Sequence, residues 1–480
     1  MRVLYVSTEV HPALKTGGLA DVNAGLPPAL RGLGADVRLL LPAFPALLTA
    51  ARAPRRRIAL GALLGCADVG VVPCRLGDVP TWLIDAPGYY DRAGNPYLDA
   101  DGHDWPDNAQ RFALLGLVAA RFADGGIGRW RPHVVHAHDW HAALAPTYLA
   151  ARGGDRPASV FTVHNLSYQG HFEAEVFPSL RLPQHFFAID GVEYHGGVNF
   201  MKAGLHFADR ITTVSPTYAG EIQTAEFGCG MEGILRARAG ALVGILNGID
   251  TRVWDPAHDD ALAAPFAPDE VAGKATCRAA LLAEAGLRAD AAGPVLGVVS
   301  RLTAQKGLDL LRAAVAPLLA ADGRLVLLGS GDAAEEAAWQ ALASAHPGTV
   351  SVRLGYDEAY AHRLFAGADA IAVPSRFEPC GLTQMYAMLY GALPLVRRTG
   401  GLADTVQGGD VGSGFVFDAA TVDALAGALA QLLQAWDEPA RWRAMQARAM
   451  RADFGWARAA ARYLALYREL RPQADTVSPA

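Results

Sequence analysis

The chain has 480 residues, of which 51% are hydrophobic and 19% are charged, and its formal net charge at pH 7 is −6. Nucleic acid is disfavoured as the main partner, because binding to a phosphate backbone needs a basic face. No apolar stretch reaches the roughly 18 residues that a membrane span needs, and the sequence opens with a strand pattern rather than a leader. We therefore expect a cytoplasmic protein that binds neither nucleic acid nor a membrane.

Length and patterning together predict two large α/β units. A rule of about 150 residues per domain gives roughly three domains, but apolar strands that alternate with amphipathic helices favour two larger units. The five cysteines form no CxxC pair, as expected for a reduced cytoplasm, so no disulfides are predicted.

In the first half, polar loops follow the predicted strands. The strand at 3–6 precedes the loop Lys15-Thr16-Gly17-Gly18-Leu19-Ala20-Asp21, which leads into a helix. Paired glycines allow the backbone to approach a ligand closely, although turns also use glycine. The basic run Arg55-Arg56-Arg57 precedes a strand-like segment and is most simply a solvated loop. Segments 134–139 and 160–164 then place polar side chains at strand ends.

A boundary is predicted near 246–250, where a strand-like run ends in a glycine turn and a Pro- and Asp-rich stretch follows. The alternation beyond it predicts a parallel, doubly wound sheet whose ligand loops lie beyond the carboxyl ends of the strands. The predicted elements are strand 295–299, helix 308–319, strand 325–328, strand 350–353, helix 357–366, strand 370–373 and helix 382–390.

Two loops of this second half carry charges that suit a diphosphate and its substituent. Arg301 and Lys306 follow the strand at 295–299, and one fixed fork and one point charge can converge on a pyrophosphate. Taken singly, either cation is most often a solvated surface charge. Glu378 lies between the strand at 370–373 and the next helix, whose first N–H groups favour an anion. The alternative is a buried loop in which Glu378 only caps that helix.

Taken together, these segments resemble the bacterial glycogen synthase and plant starch synthase family of retaining glycosyltransferases. The family signatures K-T-G-G-L, R-L-x-x-Q-K-G and E-P-C-G-L-T-Q are all present, in that order. The likeness covers roughly residues 1–460, although sucrose and trehalose synthases share a looser form of the second half. Further matches are His136-Ala137-His138-Asp139-Trp140, Thr162-Val163-His164-Asn165, Asn247-Gly248-Ile249-Asp250, Gly329-Ser330-Gly331-Asp332, Gly355-Tyr356 and Gly400-Gly401-Leu402.

The resemblance implies a GT-B fold, in which two facing, doubly wound parallel-sheet (Rossmann-like) α/β domains enclose a deep interdomain cleft. Residues 1–246 would form the acceptor-side domain and residues 247–455 the nucleotide-sugar-binding domain. Residues 456–480 would form a helix that packs back on the first domain. Closure of the cleft would exclude water, which otherwise hydrolyses the donor.

The implied activity is transfer of glucose from ADP-glucose to the non-reducing end of an α-1,4-glucan such as glycogen, with retention of configuration and without a metal or other cofactor. Glu378 would orient or stabilise the sugar, His164 would steady the glucosyl cation, and Tyr356 would stack on the adenine. The residues implied as catalytic are Glu378, Arg301, Lys306, His164 and Asp139. Those implied as substrate-binding are Lys15, Gly17, Gly18, Asp21, Tyr97, Asn165, Asn247, Tyr356, Cys380, Gly381, Leu382 and Thr383.

A metal site is not predicted. His136, His138 and His141 lie close to Asp139, but no separate Cys or His pair at zinc spacing completes a tetrahedral set. Core or hydrogen-bonding histidines are favoured, with sugar contacts as the alternative. Asp99-Ala100-Asp101 matches the DxD of metal-dependent glycosyltransferases, yet it lies in a polar loop rather than at a strand end.

Three other functions stay open at this point. A UDP-glucose-dependent synthase of the same fold would differ only in its donor, and a nucleotide-sugar epimerase would share the two-domain architecture without needing a glucan. A non-catalytic glucan-binding protein would keep exposed aromatic residues such as Trp140 or Tyr97. It would have no need of Glu378, Arg301 and Lys306 together.

Overall fold

The computed structural model describes residues 1–123, 125 and 127–472. The chain divides into two compact units. Unit 1 comprises Met1–Gly248 together with the residues from Trp456 onward, and unit 2 comprises Ile249–Gly455. The division after Gly248 lies close to the glycine turn at which the sequence predicts a boundary.

Unit 1 is built on a nine-stranded sheet. Its strands are β1 (Arg2–Val6), β2 (Asp36–Pro42), β3 (Ile58–Leu63), β4 (Cys66–Leu76), β5 (Val79–Asp85), β6 (Val134–His138), β7 (Ala158–Val163), β11 (Arg210–Thr213) and β12 (Leu242–Gly244), while β8 (His171–Phe172), β9 (Glu193–Tyr194) and β10 (Gly197–Asn199) form a separate three-stranded sheet. The helices are α1 (Gly18–Gly32), α2 (Pro45–Ala50), α3 (Pro87–Tyr90), α4 (Asn108–Ala123), α5 (Asp139–Ala142), α6 (Leu144–Arg152), α7 (Phe200–Phe207), α8 (Pro216–Glu221) and α9 (Glu232–Ala237).

The large sheet of unit 1 is mixed, whereas the family resemblance implies a parallel-sheet domain. Its order is β12-β11-β7-β6-β1-β2-β5-β4-β3, and β4 runs antiparallel to both β3 and β5. The reason is the shortness of the β3–β4 and β4–β5 connections, because a parallel neighbour needs a crossover of a dozen or more residues. The rest of the sheet is parallel, and every residue of β6 and β7 is buried.

Unit 2 is built on a six-stranded sheet in which every pair of neighbours is parallel. Its strands are β13 (Val295–Val299), β14 (Arg324–Gly329), β15 (Val350–Leu354), β16 (Ala370–Val373), β17 (Leu393–Arg397) and β18 (Phe415–Phe417). Its helices are α10 (Ala272–Glu284), α11 (Leu308–Ala314), α12 (Ala316–Ala320), α13 (Ala333–Ala345), α14 (Glu358–Gly367), α15 (Thr383–Leu389), α16 (Gly400–Thr405), α17 (Val422–Trp436) and α18 (Pro439–Met450).

The predicted helix at 308–319 is wrong as a single element. The structure divides it into α11 and α12 at Val315, and Pro317 lies in the first turn of α12. Proline has no N–H to donate to the preceding turn and its ring clashes with the carbonyl four residues earlier, so it suits a helix start and not a helix interior.

The last helix, α19 (Trp456–Leu470), belongs to unit 1 and packs on α1. The hydroxyl of Tyr467 on its buried face lies 2.7 Å from Nδ1 of His136 in β6. Within the described residues, no helix combines the length and the apolarity that a membrane crossing requires.

Candidate functional site

The strand order of unit 2 fixes where its functional loops meet. In the order β15-β14-β13-β16-β17-β18, successive strands are added toward one side of the sheet from β13 and toward the other side from β16. The loops that follow these two parallel strands therefore leave the same edge in opposite senses. In open α/β sheets, ligands bind in the crevice at this switch point. The loop after β13 contains Arg301 and Lys306, and the loop after β16 contains Glu378.

Lys306 and Glu378 meet at this point in a buried salt bridge. Lys306 Nζ donates to Glu378 Oε2 over 2.6 Å, and Ser375 Oγ donates to the same oxygen over 2.8 Å. The side chains of Lys306 and Glu378 are 17% and 8% exposed. The alternative in which Glu378 only caps the next helix is wrong, because its Oε2 accepts from Lys306 and Ser375, and the N-cap residue of α15 is Leu382.

Close backbone packing holds the Glu378 loop in place. Gly307 has φ +63°, and a Cβ there would come within 2.3 Å of the Pro374 carbonyl oxygen. Gly400 has φ +44°, and a Cβ there would come within 1.9 Å of the carbonyl oxygen of Glu378. Since only glycine tolerates both the positive φ and these approaches, the two glycines let neighbouring loops clamp the backbone around Glu378.

The other predicted residues of unit 2 lie along the same sheet edge. Arg301 is exposed, and its guanidinium forms no ion pair within the part of the chain that the structure describes. Tyr356 follows β15 and is 71% exposed. Cys380 is buried, Gly381 has φ +68°, Leu382 is the N-cap residue of α15, and Thr383 is its first helical residue.

In unit 1, a corresponding switch point lies between β1 and β6, which pair with each other. Asp139 follows β6 directly and has φ +55°, a conformation that is uncommon for a residue other than glycine. Its Oδ1 accepts a hydrogen bond of 2.8 Å from the backbone N–H of His164, which follows the neighbouring strand β7. Backbone strain of this kind clusters at functional sites.

Burial moves the pKa values of Asp139 and His164 away from those of ordinary side chains. Burial raises the pKa of Asp139 to about 7, against the opposing effect of hydrogen bonds from the backbone of His164 and Asn165. Burial lowers the pKa of His164 to about 3, so its ring is neutral at physiological pH. Nε2 of His164 lies 2.9 Å from Nδ1 of His138. Asp139 can therefore hold or release a proton near neutrality, whereas His164 cannot serve as a cation.

The interpretation of the histidines as hydrogen-bonding core residues is confirmed for His136 and His138. His136 lies between the hydroxyls of Tyr467 and Thr162, at 2.7 Å and 2.6 Å. His138 is fully buried and stacks on Tyr5 with ring centroids 4.0 Å apart. Within the described ranges, no group of three or more His, Cys, Asp or Glu side chains is arranged to hold a metal ion.

A buried carboxylate that sequence reasoning missed, Glu9, organises the loop after β1. Glu9 is 2% exposed and accepts hydrogen bonds of 2.5 Å from Thr16 N–H and 3.1 Å from the Tyr97 hydroxyl. Burial raises its pKa. Glu9 follows β1 in the run Ser7-Thr8-Glu9, so the presence of polar residues at a strand end is the signal that could have identified it.

The predicted substrate-binding residues of this loop lie near Glu9 in sequence. Lys15 Nζ pairs with Asp21 Oδ1 over 2.8 Å. Gly17 is extended, and a Cβ on Gly17 or Gly18 would meet no protein atom within 4 Å. Neither glycine is therefore required by the packing of the chain itself, and their backbone is open to approach.

The two predicted asparagines differ in their surroundings. Oδ1 of Asn165 accepts a hydrogen bond of 3.1 Å from Ser167 N–H. Oδ1 of Asn247 is buried and has no hydrogen-bond partner among the described residues. Leaving a buried acceptor without a partner costs free energy. The amide oxygen of Asn247 can therefore accept a hydrogen bond from a ligand.

Two expectations about exposed side chains need correction. Trp140 is only 8% exposed and packs against Phe112 and Phe172, so it offers no open platform for a glucan. In the basic run at 55–57, Arg57 is not simply solvated, because it pairs with Asp85 at 2.5 Å.

Comparisons with known proteins extend these observations over the whole chain. Residues 2–237 match the family described as starch synthase catalytic domain, and residues 284–448 match glycosyl transferases group 1. A glycogen synthase from Yersinia pseudotuberculosis serotype O:1b (strain IP 31758) is 52% identical over 98% of this chain and 100% of its own length. A glycogen synthase from Leptothrix cholodnii is 51% identical with the same coverage of each chain.

The chain belongs to the glycogen synthase family. It is a glycosyltransferase with a GT-B-type fold of two α/β domains. The catalytic domain of starch synthase IV from Arabidopsis thaliana, solved with bound ADP and acarbose, matches at a TM-score of 0.88 and 31% identity, over 98% of this chain and 99% of that one. Sucrose-phosphate synthase from Thermosynechococcus elongatus shares the fold at a TM-score of 0.60 and 19% identity, over 98% and 100% of the two chains.

Proposed function

We propose that this member of the glycogen synthase family transfers glucose from ADP-glucose to the non-reducing end of an α-1,4-glucan, with retention of configuration, in the cytoplasm. The observation that carries the proposal is the buried Lys306–Glu378 salt bridge at the switch point of unit 2. The ADP and acarbose bound to the related starch synthase domain support a nucleotide and a glucan-like ligand here. Unit 2 would bind the donor and unit 1 the acceptor.

Charge separation explains why this site suits glucosyl transfer. Cleavage of the bond between glucose and ADP leaves negative charge on the diphosphate and positive charge on the anomeric carbon. Arg301, which is exposed, and Lys306, which belongs to the same loop, would stabilise the diphosphate. Preorganised groups of this kind typically contribute about 10²- to 10³-fold each to the rate. They would supply the positive charge that a divalent cation supplies elsewhere, so no cofactor is proposed.

Glu378 would act on the sugar side of the same bond. In the free protein its Oε2 is neutralised by Lys306 and held by Ser375, whose hydroxyl lies 2.8 Å away. When the diphosphate competes for Lys306, the carboxylate would become available to orient the glucose and to stabilise its developing positive charge. Retention requires either attack from the same face or a covalent sugar intermediate, and Glu378 is the proposed participant in both.

Unit 1 would contact sugar through neutral and weakly acidic groups. His164 is neutral because burial lowers its pKa to about 3, so its ring nitrogen or backbone carbonyl would face the glucosyl cation without repelling it. Asp139, with a pKa of about 7, would accept hydrogen bonds from sugar hydroxyls. Tyr97 and Lys15, with the open backbone at Gly17 and Gly18, would complete the contacts.

The test follows radiolabelled glucose from ADP-glucose, and in parallel from UDP-glucose, into glycogen in the presence of a chelator. Label in α-1,4 linkages, released by an enzyme that cleaves those linkages, is expected mainly from ADP-glucose. Preference for UDP-glucose would overturn the assignment of ADP-glucose as the donor. Loss of transfer in the presence of the chelator would overturn the metal-free mechanism. Binding of glycogen without transfer from either donor would favour a non-catalytic glucan-binding protein.

A further inference from the structure

Arg376 lies between Ser375 and Glu378 in the loop after β16, and its contacts reach across to the Lys306 loop. Its backbone N–H donates to the Gln305 carbonyl over 2.8 Å. Its Nη1 donates to the Ala304 carbonyl over 2.8 Å. A single residue thus engages the carbonyls of two of the three residues in the 3₁₀ turn Ala304–Lys306.

The guanidinium of Arg376 also forms a two-point salt bridge with the first turn of the next helix. Nη1 and Nη2 donate to the two carboxylate oxygens of Asp309, each over 2.7 Å. Asp309 lies in the first turn of α11, directly after the Lys306 turn. Arg376 therefore holds the Lys306 turn from both sides, at Ala304 before it and at Asp309 after it.

The consequence for Lys306 is geometric. Its Nζ must reach 2.6 Å from Glu378 Oε2, although the two residues belong to loops that follow different strands. A hydrogen bond of 3.2 Å from Gln305 Nε2 to the Phe377 carbonyl reinforces the same alignment. A planar guanidinium matches a carboxylate and a carbonyl together, and a lysine ammonium cannot reproduce that fork.

We propose that Arg376, together with Asp309, is a positioning residue that holds Lys306 at Glu378 and sets the rate of glucosyl transfer without touching the substrate. The proposal rests on the proposed function for its kinetic consequence. The Arg376–Asp309 pair is 37% and 39% exposed, so it adds little to overall stability and its role is geometric.

The experiment compares Arg376→Lys, Asp309→Asn and the double variant in the full chain. Arg376→Lys is expected to lower kcat on the order of 10- to 100-fold, because a misplacement of about 1 Å costs rate of this size, while KM for ADP-glucose changes little. Asp309→Asn should lower kcat less. The double variant should fall no further than Arg376→Lys alone, because both changes break one link.

The deciding measurement repeats Arg376→Lys in a Lys306→Ala background. If Arg376 acts through Lys306, its replacement there should change kcat by less than about threefold, since the group it positions is already missing. A full additional loss in that background would overturn the proposal, as would wild-type kcat in Arg376→Lys. An increase in KM at unchanged kcat would also overturn it, because that result indicates direct substrate binding.

A matched control and a second readout separate this proposal from the proposed function. Arg363 forms a similar two-point salt bridge with Glu284 elsewhere in unit 2, at 2.8 Å for each contact, and Arg363→Lys should leave kcat unchanged. Amide hydrogen exchange needs no activity. Exchange across 301–309 and 374–381 should accelerate in Arg376→Lys and not in Arg363→Lys. Inactivity of the wild-type chain would end the proposed function, whereas unchanged exchange in Arg376→Lys would end the positioning role.

Discussion

Replacement of Lys306 by methionine should destabilise unit 2. The substitution keeps the length and the apolar stem of the side chain but removes the charge, and it leaves Glu378 with Ser375 as its remaining side-chain donor. Removing one partner of a fully buried pair costs roughly 3–5 kcal/mol. Because Lys306 and Glu378 retain 17% and 8% exposure and Ser375 still donates, we expect a loss of about 2–3 kcal/mol.

The loss arises because the substitution leaves the Glu378 carboxylate buried without its cationic partner. Replacement of both partners, as in Lys306→Met with Glu378→Gln, should recover most of the loss, because no unpaired charge is then left inside.

Urea unfolding of the full chain, followed by tryptophan fluorescence, measures these free energies of unfolding. Arg451→Met is the control, since Arg451 and Asp269 form a pair that is 54% and 85% exposed and should contribute less than about 1 kcal/mol. No recovery in the double variant would refute the assignment of Glu378 as a buried charge that depends on Lys306.

Three further substitutions test other parts of the structure. Asp139→Asn should abolish transfer. It should also stabilise the protein relative to wild type by more at pH 8 than at pH 5, because burial raises the pKa of the wild-type carboxyl to about 7 and the wild-type protein loses stability as the pH rises through that value. Unchanged pH dependence of urea unfolding in Asp139→Asn would contradict this. The buried Lys274 Nζ donates to the carbonyls of Ala366 and Tyr390 over 2.9 Å and 2.8 Å. Because Lys274→Met removes these hydrogen bonds, it should lower the free energy of unfolding by roughly 2–4 kcal/mol and change kcat little. Tyr356→Ala should raise KM for ADP-glucose about 10-fold, whereas Tyr356→Phe should keep the wild-type KM, since stacking on a base contributes about 1–3 kcal/mol. Equal KM values for Tyr356→Ala and wild type in steady-state kinetics would exclude that contact.

Much of unit 2 follows from the sequence because its strands are short, continuous apolar runs. The predicted strands at 295–299 and 370–373 have the bounds of β13 and β16, and both are buried almost throughout. Once the strands alternate with helices, the carboxyl edge is the expected place for ligand loops. The break between α11 and α12 could have been predicted from Pro317 alone. The β3–β4–β5 hairpins were missed because alternating and continuous apolar runs do not report strand direction.

The contacts that define the site are less accessible to sequence reasoning. Lys306 and Glu378 are far apart in the chain, and nothing in either loop indicates that their side chains meet directly. Arg376 looks like one more surface cation until its link to Asp309 is seen. Trp140 follows a strand in a polar segment, yet tertiary packing buries it. Local patterns therefore locate the loops, whereas the pairing within them depends on how the sheet brings strand ends together.

Glu378 is the residue on which the proposed glucosyl transfer depends most, and Glu378→Gln tests it most directly. The initial rate of glucose incorporation from labelled ADP-glucose into glycogen should be readily measurable in the wild-type chain. In Glu378→Gln it should fall by about 10²-fold or more, because an amide keeps the shape of the side chain and loses its charge. A Glu378→Gln rate close to that of the wild type would contradict the proposed role of this carboxylate.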